Sequence, residues 1–144
     1  MTNQTLYDQD FYAWANEQAG LLRAGRLSEA DIDHIAEEIE SIGKHEKREL
    51  VSRLTILLLH LLKWQHQPVL RSTSWRLTVE EQRVRLENHI ADNPSLKSSL
   101  EETVKAAYHL AILGAARETG MDRSVFPSIC PWSYDQMIDL NFWP

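Results

Sequence analysis

Histidine and glutamate side chains at helical spacing are the residues of this chain most suited to metal chemistry. His34 and Glu38 lie four residues apart, as do His45 and Glu49. On a helix this spacing places both side chains on one face, so either pair could supply two metal ligands. No predicted helix carries H-E-x-x-H or E-x-x-H, and a solvated charged face is the favoured interpretation. No metal, cofactor or catalytic residue is therefore predicted.

His60 is the histidine that lies inside the most apolar run of the chain, residues 50–64. A single histidine in such a run is more typical of a hydrogen-bonded residue at the edge of a core than of a base or a ligand. Trp64 follows one helical turn later. Stacking against the Trp64 ring is available to this histidine, so its presence in the run requires no catalytic role.

Basic and aromatic residues are interleaved in the middle of the chain. Residues 50–91 carry six basic and three acidic groups, whereas residues 1–49 carry 5 basic and 11 acidic groups. Such a mixture can bind phosphates and stack on bases. It also fits tryptophans that pack between helices and are covered by the apolar parts of arginine side chains. This packing interpretation is the favoured one. The candidate residues for contact with a ligand or partner are His60, Trp64, Arg71, Trp75 and Arg76.

Nucleophilic catalysis finds little support in the sequence. The chain has no G-x-S-x-G motif, no Walker loop and no dinucleotide fingerprint. Its one cysteine, Cys130, lies between Ile129 and Pro131 in an aromatic segment, which favours a buried and unreactive thiol. An enzyme is therefore not the favoured class.

Composition predicts one soluble domain that spans residues 1–144. The net charge of −6 argues against non-specific binding of nucleic acid or anionic membrane by the whole surface. One cysteine fits a reducing cytoplasm, and residues 1–10 lack the pattern of a signal peptide. The uninterrupted apolar run from Ile56 to Leu59 is far shorter than the roughly 18 residues of a membrane span. A cytoplasmic protein with no membrane contact is predicted.

A leucine-rich helix is predicted at the centre of the fold, from Lys44 to about Gln67. Projected at about 100° per residue, its leucines fall on one wide face, while basic residues fall opposite. A wide apolar arc predicts that other helices cover this helix on more than one side. The inward residues are Leu50, Leu54, Leu57, Leu58 and Leu61.

Further helices are predicted on both sides of the central one. Their approximate ranges are residues 8–24, 28–43, 74–91, 95–118 and 133–140. Asp8 is the expected N-cap of the first, and Gly43 is expected to break or bend the second before the central helix begins. An apolar stripe in the second helix comprises Ile32, Ile35, Ala36, Ile39 and Ile42.

Several long segments resemble, in this order, those of a bacterial family catalogued as domain of unknown function twenty-nine. The segments are LYDQDFYAWANEQAGLLRAGR, HIAEEIESIGKHEKREL, LLLHLLKWQHQP, SWRLTVEEQRVRLE, DNPSLKSSLEE, ARETG and FPSICPWSYDQMID. The resemblance covers residues 6–144. It implies a compact all-helical domain in a bacterial cytosol, and it supplies no functional residue that could be transferred to this chain.

The sequence thus predicts an all-α, single-domain bundle of about four or five main helices, with the aromatic C-terminal segment packed across it. The favoured function is a non-enzymatic interaction or regulatory module that binds a protein partner or a second copy of itself. Nucleic-acid binding through the middle third is the first alternative. A metal-dependent enzyme that uses His34, Glu38 or His60 is the second.

Overall fold

The fold is all-α, as predicted. A computed structural model describes residues 3–144, with side chains from residue 6 onward. This part of the chain contains six α-helices and no strand. The helices are α1 (Asn3–Gln9), α2 (Phe11–Arg23), α3 (Ile32–His66), α4 (Thr73–Asp92), α5 (Leu100–Thr119) and α6 (Tyr134–Ile138).

The first predicted helix is two helices. The expected N-cap Asp8 lies inside α1, so that prediction was wrong. The helix is interrupted at Asp10, which is the N-cap of α2. Its carboxylate accepts a hydrogen bond of 3.0 Å from the backbone N–H of Ala13 in the first turn of α2. Gly25 follows the end of α2 with a φ of 72°, a left-handed conformation that glycine adopts without strain.

The predicted break at Gly43 is also wrong, because α3 runs without interruption for 35 residues. A glycine inside a helix costs about 1 kcal/mol relative to alanine. Continued helix on both sides outweighs that cost. Pro68 follows the end of α3, as predicted. The last long helix begins later than expected, because residues 94–99 form a 3-10 turn before Leu100.

Contacts between α-carbons divide the chain into a first unit, Met1–His45, and a second unit, Glu46–Pro144. The boundary falls within α3. The prediction that residues 1–144 form one domain stays a prediction. No helix between residues 3 and 144 combines the length and hydropathy that crossing a membrane requires. The prediction that the first ten residues carry no signal peptide falls partly outside the described residues.

Aromatic and polar contacts around Asp31 stabilise the first unit. The indole N–H of Trp14 donates to Asp31 Oδ2 at 3.0 Å, and the backbone N–H of Asp31 donates to Gln18 Oε1 at 2.7 Å. His34 Nδ1 lies 2.7 Å from the same carboxylate. The ring of Tyr7 stacks on His34 with centroids 4.0 Å apart. One carboxylate therefore connects α2 to the start of α3.

Leucines of α3 form the core of the second unit. All five residues predicted to face inward are wholly buried, which confirms that prediction; they are Leu50, Leu54, Leu57, Leu58 and Leu61. Val79 and Leu86 of α4 belong to the same cluster. A β-carbon placed on Gly114 would clash with Leu59 Cδ1, so glycine at this position allows α5 to approach α3 closely.

The aromatic C-terminal segment packs on this core, as predicted. Phe126, Trp132 and Met137 are buried members of the leucine cluster. A capping box begins α6, because the Ser133 hydroxyl accepts from the Gln136 backbone N–H while the Gln136 side chain accepts from the Ser133 backbone. Local capping and apolar burial together fix the path of the segment.

Candidate functional site

Two of the five candidate residues, Trp64 and Arg76, contact Trp143 near the C-terminus, and a third, Arg71, packs on Trp64. Trp64 is buried, and its ring centroid lies 4.5 Å from that of Trp143. The Arg71 guanidinium lies over the Trp64 ring at 4.9 Å, and its Nε donates to the Trp64 carbonyl at 2.8 Å. The Arg76 guanidinium lies 5.7 Å from the Trp143 ring. These contacts are cation–π pairs and stacking, which stabilise packing.

Trp75 contacts a different cation, and His60 contacts its own helix. Lys63 Nζ lies 4.5 Å from the centre of the Trp75 ring and 3.4 Å from Glu118 Oε1. His60 Nδ1 lies 2.8 Å from the carbonyl oxygen of Ile56, one turn earlier. Burial lowers the pKa of His60, which favours the neutral ring. Whether these five residues bind a ligand or a partner stays a prediction.

Sequence reasoning missed Arg83, the cation that holds the C-terminal segment. Its side chain is almost wholly buried. Nε donates to the Met137 carbonyl and Nη2 to the Phe142 carbonyl, each at 2.7 Å, and the guanidinium lies 5.2 Å from the Trp143 ring. Burial lowers the pKa of this group. A signal did exist, because residue 83 shares a helix face with the inward Val79 of α4.

A mainly apolar cleft of about 650 Å³ lies between α5 and the C-terminal segment. Its lining includes Val104, Tyr108, Cys130 and Trp132. The Tyr108 hydroxyl donates to the Pro127 carbonyl at 2.6 Å, and burial raises its pKa to about 12. Burial also raises the pKa of the Cys130 thiol. Both groups therefore stay protonated at neutral pH, and neither is activated as a base or a nucleophile.

The apolar stripe of the first unit lies on the surface. We call this surface the isoleucine face: Ile32, Ile35, Ile39 and Ile42 of α3. Ile39 and Ile42 are each 64% exposed, Ile32 is half exposed, and Ile35 is partly buried. The contacts of α1 and α2 explain why, since they fall on the flank of α3 that carries Asp31 and His34, roughly a quarter-turn from the isoleucines.

Hydrogen bonds on that flank shift the pKa values of the groups involved. The hydrogen bond between the Tyr7 hydroxyl and the Glu38 carboxylate raises the pKa of Tyr7 to about 12. The hydrogen bond to Asp31 raises the pKa of His34. Burial acts to raise the pKa of Asp31, but hydrogen bonds from His34 and Trp14 outweigh it and lower the pKa below the usual value.

These contacts place the predicted metal ligands in other roles. His34 pairs with Asp31, and Glu38 accepts from Tyr7, so neither side chain is directed at a shared ion. Among residues 6–144, one group of three His, Cys, Asp or Glu side chains brings its donor atoms within 4.8 Å of one another. That group consists of Glu46, Glu49 and His89.

The described helices and their leucine core define an all-α protein, and comparison with family models then specifies the family. The chain belongs to the family described as Domain of unknown function DUF29, whose model matches residues 6–143. No curated protein and no solved structure matches the chain.

Proposed function

We propose that this protein is a cytoplasmic bacterial interaction module that associates with a second copy of itself through the isoleucine face. The observation that carries the proposal is the exposure of Ile32, Ile39 and Ile42 on one side of α3. Aligned β-branched residues on a helix are typical of a helix–helix interface. One free, half-buried cysteine supports the cytoplasmic setting.

The spacing of the isoleucines suits antiparallel pairing of two copies. Ile32 and Ile42 are equally distant in sequence from residue 37, and so are Ile35 and Ile39. A two-fold axis that passes the isoleucine face at the level of residue 37 would therefore place each isoleucine of one copy opposite an isoleucine of the other. Their 3-4-3 spacing is the spacing of coiled-coil seams, and a self-complementary patch is what a two-fold dimer requires.

The surroundings of the isoleucine face favour another helix over a membrane. Ala36 and Gly43 lie at its edge, and a β-carbon placed on Gly43 would meet no atom within 4 Å. Small residues at this edge allow a neighbouring backbone to approach closely. The exposed residues on the opposite, polar side of α3 include Glu37 and Glu40. An acidic polar side is unfavourable for an anionic bilayer, to which amphipathic helices bind through basic residues.

The proposal is tested by sedimentation velocity over a concentration series of wild type and Ile39→Asp. Two-fold symmetry introduces the new carboxylate twice per dimer, so we expect the dimer dissociation constant to rise at least about tenfold, equivalent to about 1.4 kcal/mol. Ile129→Asp is the matched control, because it makes the same change at an isoleucine that is 80% exposed in the second unit.

A wild-type protein that stays monomeric at every concentration contradicts self-association. Equal dissociation constants for Ile39→Asp and Ile129→Asp contradict the assignment of the interface to the isoleucine face. Circular dichroism should show the same helix content in all three proteins, since both substituted side chains are exposed.

The two alternatives from the sequence stay predictions. Arg71 and Arg76 are exposed at the surface of the second unit, as nucleic-acid binding would require, but both guanidinium groups already contact tryptophan rings. A metal-dependent enzyme based on His34, Glu38 or His60 has weaker support. Those three side chains accept or donate hydrogen bonds within their own surroundings.

A further inference from the structure

A histidine and two carboxylates converge on the surface of the second unit. Glu46 and Glu49 lie one turn apart on α3, and His89 lies on α4. His89 Nδ1 is 3.6 Å from Glu46 Oε2 and 3.9 Å from Glu49 Oε2. The histidine is buried, with 8% of its surface exposed, whereas about a third of each glutamate side chain is accessible.

The orientation of the His89 ring is that of a metal ligand. Its Nε2 lies 2.8 Å from the backbone carbonyl oxygen of Glu46, so Nε2 carries a proton and donates it. In the neutral ring the lone pair is then on Nδ1, the atom that is directed at the two carboxylates. Among the described contacts, Nδ1 makes no hydrogen bond. Histidine ligands commonly donate their second ring nitrogen to a carbonyl, which fixes the tautomer and the ring plane.

A second contact orients Glu49. Arg53 Nε and Nη2 donate to its Oε1 at 3.1 and 2.9 Å, while Oε2 is the atom on the side of His89. Arg53 Nη1 also lies 3.5 Å from Gln82 Oε1, which connects this arginine to α4. The arginine therefore fixes the orientation of the Glu49 carboxylate. Outer contacts of this kind position metal ligands.

The distances suit a first-row divalent ion. Zinc binds imidazole nitrogen and carboxylate oxygen at about 2.1 Å, so two ligands of one ion lie at most about 4.2 Å apart. Both nitrogen–oxygen distances in the group fall below that limit. One nitrogen and two oxygens would leave at least one coordination position for water, because zinc takes four or more ligands.

We propose that Glu46, Glu49 and His89 bind one divalent transition-metal ion, with His89 Nδ1 and one oxygen of each carboxylate as ligands. The site joins α3 to α4, because Glu46 and His89 are 43 residues apart in sequence. None of its three residues belongs to the isoleucine face, so zinc binding and self-association are tested with separate variants. Bound metal would also stabilise the second unit, since the three ligands come together only in the folded chain.

The test is a calorimetric titration of untagged protein with zinc, with wild type compared to Glu46→Gln/Glu49→Gln. We expect one zinc per chain for wild type and at least about tenfold weaker binding for the variant, because neutral amides replace both anionic ligands. Glu101→Gln/Glu102→Gln is the matched control, as it removes the same charge from the first turn of α5. Cobalt, with its visible absorption bands, should report the same difference.

Glu46→Gln alone is the second variant, because it keeps the ion pair between Arg53 and Glu49 and removes one ligand. It should also weaken zinc binding. Circular dichroism confirms that each variant is folded before titration. Absence of one-to-one zinc binding by wild type overturns the proposal, as does equal affinity of Glu46→Gln/Glu49→Gln and Glu101→Gln/Glu102→Gln.

Discussion

The two units use the apolar residues of the same helix in opposite ways. In the second unit the leucines of α3 are wholly buried, and Leu57 and Leu58 lie within a cluster that includes residues of α4, α5 and the C-terminal segment. In the first unit Ile39 and Ile42 are mostly exposed, and the helices are connected instead by hydrogen bonds made by Asp31 and by aromatic contacts of Trp14 and Tyr7. Apolar burial therefore stabilises the second unit, whereas the first unit keeps apolar surface available for binding.

The largest expected effect is loss of core packing in the second unit. Leu58→Ala should lower the free energy of unfolding by about 2–5 kcal/mol, because it removes buried methyl groups and leaves a cavity. Urea denaturation followed by circular dichroism measures the change. The matched control is Ile39→Ala, measured at a concentration where the protein is monomeric. It should cost less than about 0.5 kcal/mol at an exposed site, and an equal cost at both positions would contradict the comparison.

A smaller effect is expected for the hydrogen bond that connects α2 to Asp31. Trp14→Phe removes the indole N–H and part of a buried ring, so the opening free energy of the first unit should fall by about 1–3 kcal/mol. Hydrogen exchange of α2 amides measures this locally. Tyr12→Phe is the control, because Tyr12 is almost fully exposed. If exchange in the second unit accelerates equally, the contact stabilises the whole chain and the comparison fails.

The smallest expected effect is a pH dependence of the first unit. The raised pKa of His34 makes its contribution complete below about pH 6.5, and the contribution is lost as the pH rises through the folded value. The lowered pKa of Asp31 makes its contribution complete above about pH 4, and the contribution is lost as the pH falls through the folded value. Between about pH 4 and 6.5 both groups therefore stabilise the first unit.

Exchange protection of α2, corrected for the intrinsic rate, should therefore decrease as the pH rises above about 6.5 and through the raised pKa of His34. His34→Gln should abolish that decrease, because glutamine does not titrate. An unchanged pH dependence in His34→Gln would assign the effect to another group.

Much of the fold could be predicted from local patterns. Leucine spacing identified the buried face of α3, and Gly120 marks the end of α5 with a φ of 74°, where a left-handed residue is needed. Local patterns failed at Gly43, where a glycine that can end a helix lies between residues that continue one. Gly43 was expected to break or bend a helix, but the isolated glycine is tolerated inside the uninterrupted α3, since the residues on both sides continue the helix.

The candidate sites could be predicted less completely, because their residues are far apart in sequence. Arg83 and Trp143 meet through the packing of the C-terminal segment. Glu49 was considered with His45, four residues away, whereas its carboxylate faces His89 on another helix. Residue types and helical spacing describe one helix at a time. They do not specify which face of that helix meets which face of another.

The sequence by itself determined the helical class, the buried leucine face and the family, because these depend on periodicity and on long ordered segments. Tertiary structure alone decided that the isoleucine stripe remains at the surface, and that two glutamates and a buried histidine converge. The physical reason is that burial is a property of packing between elements. An apolar stripe shows that a helix can bury one side, and only its neighbours decide whether it does.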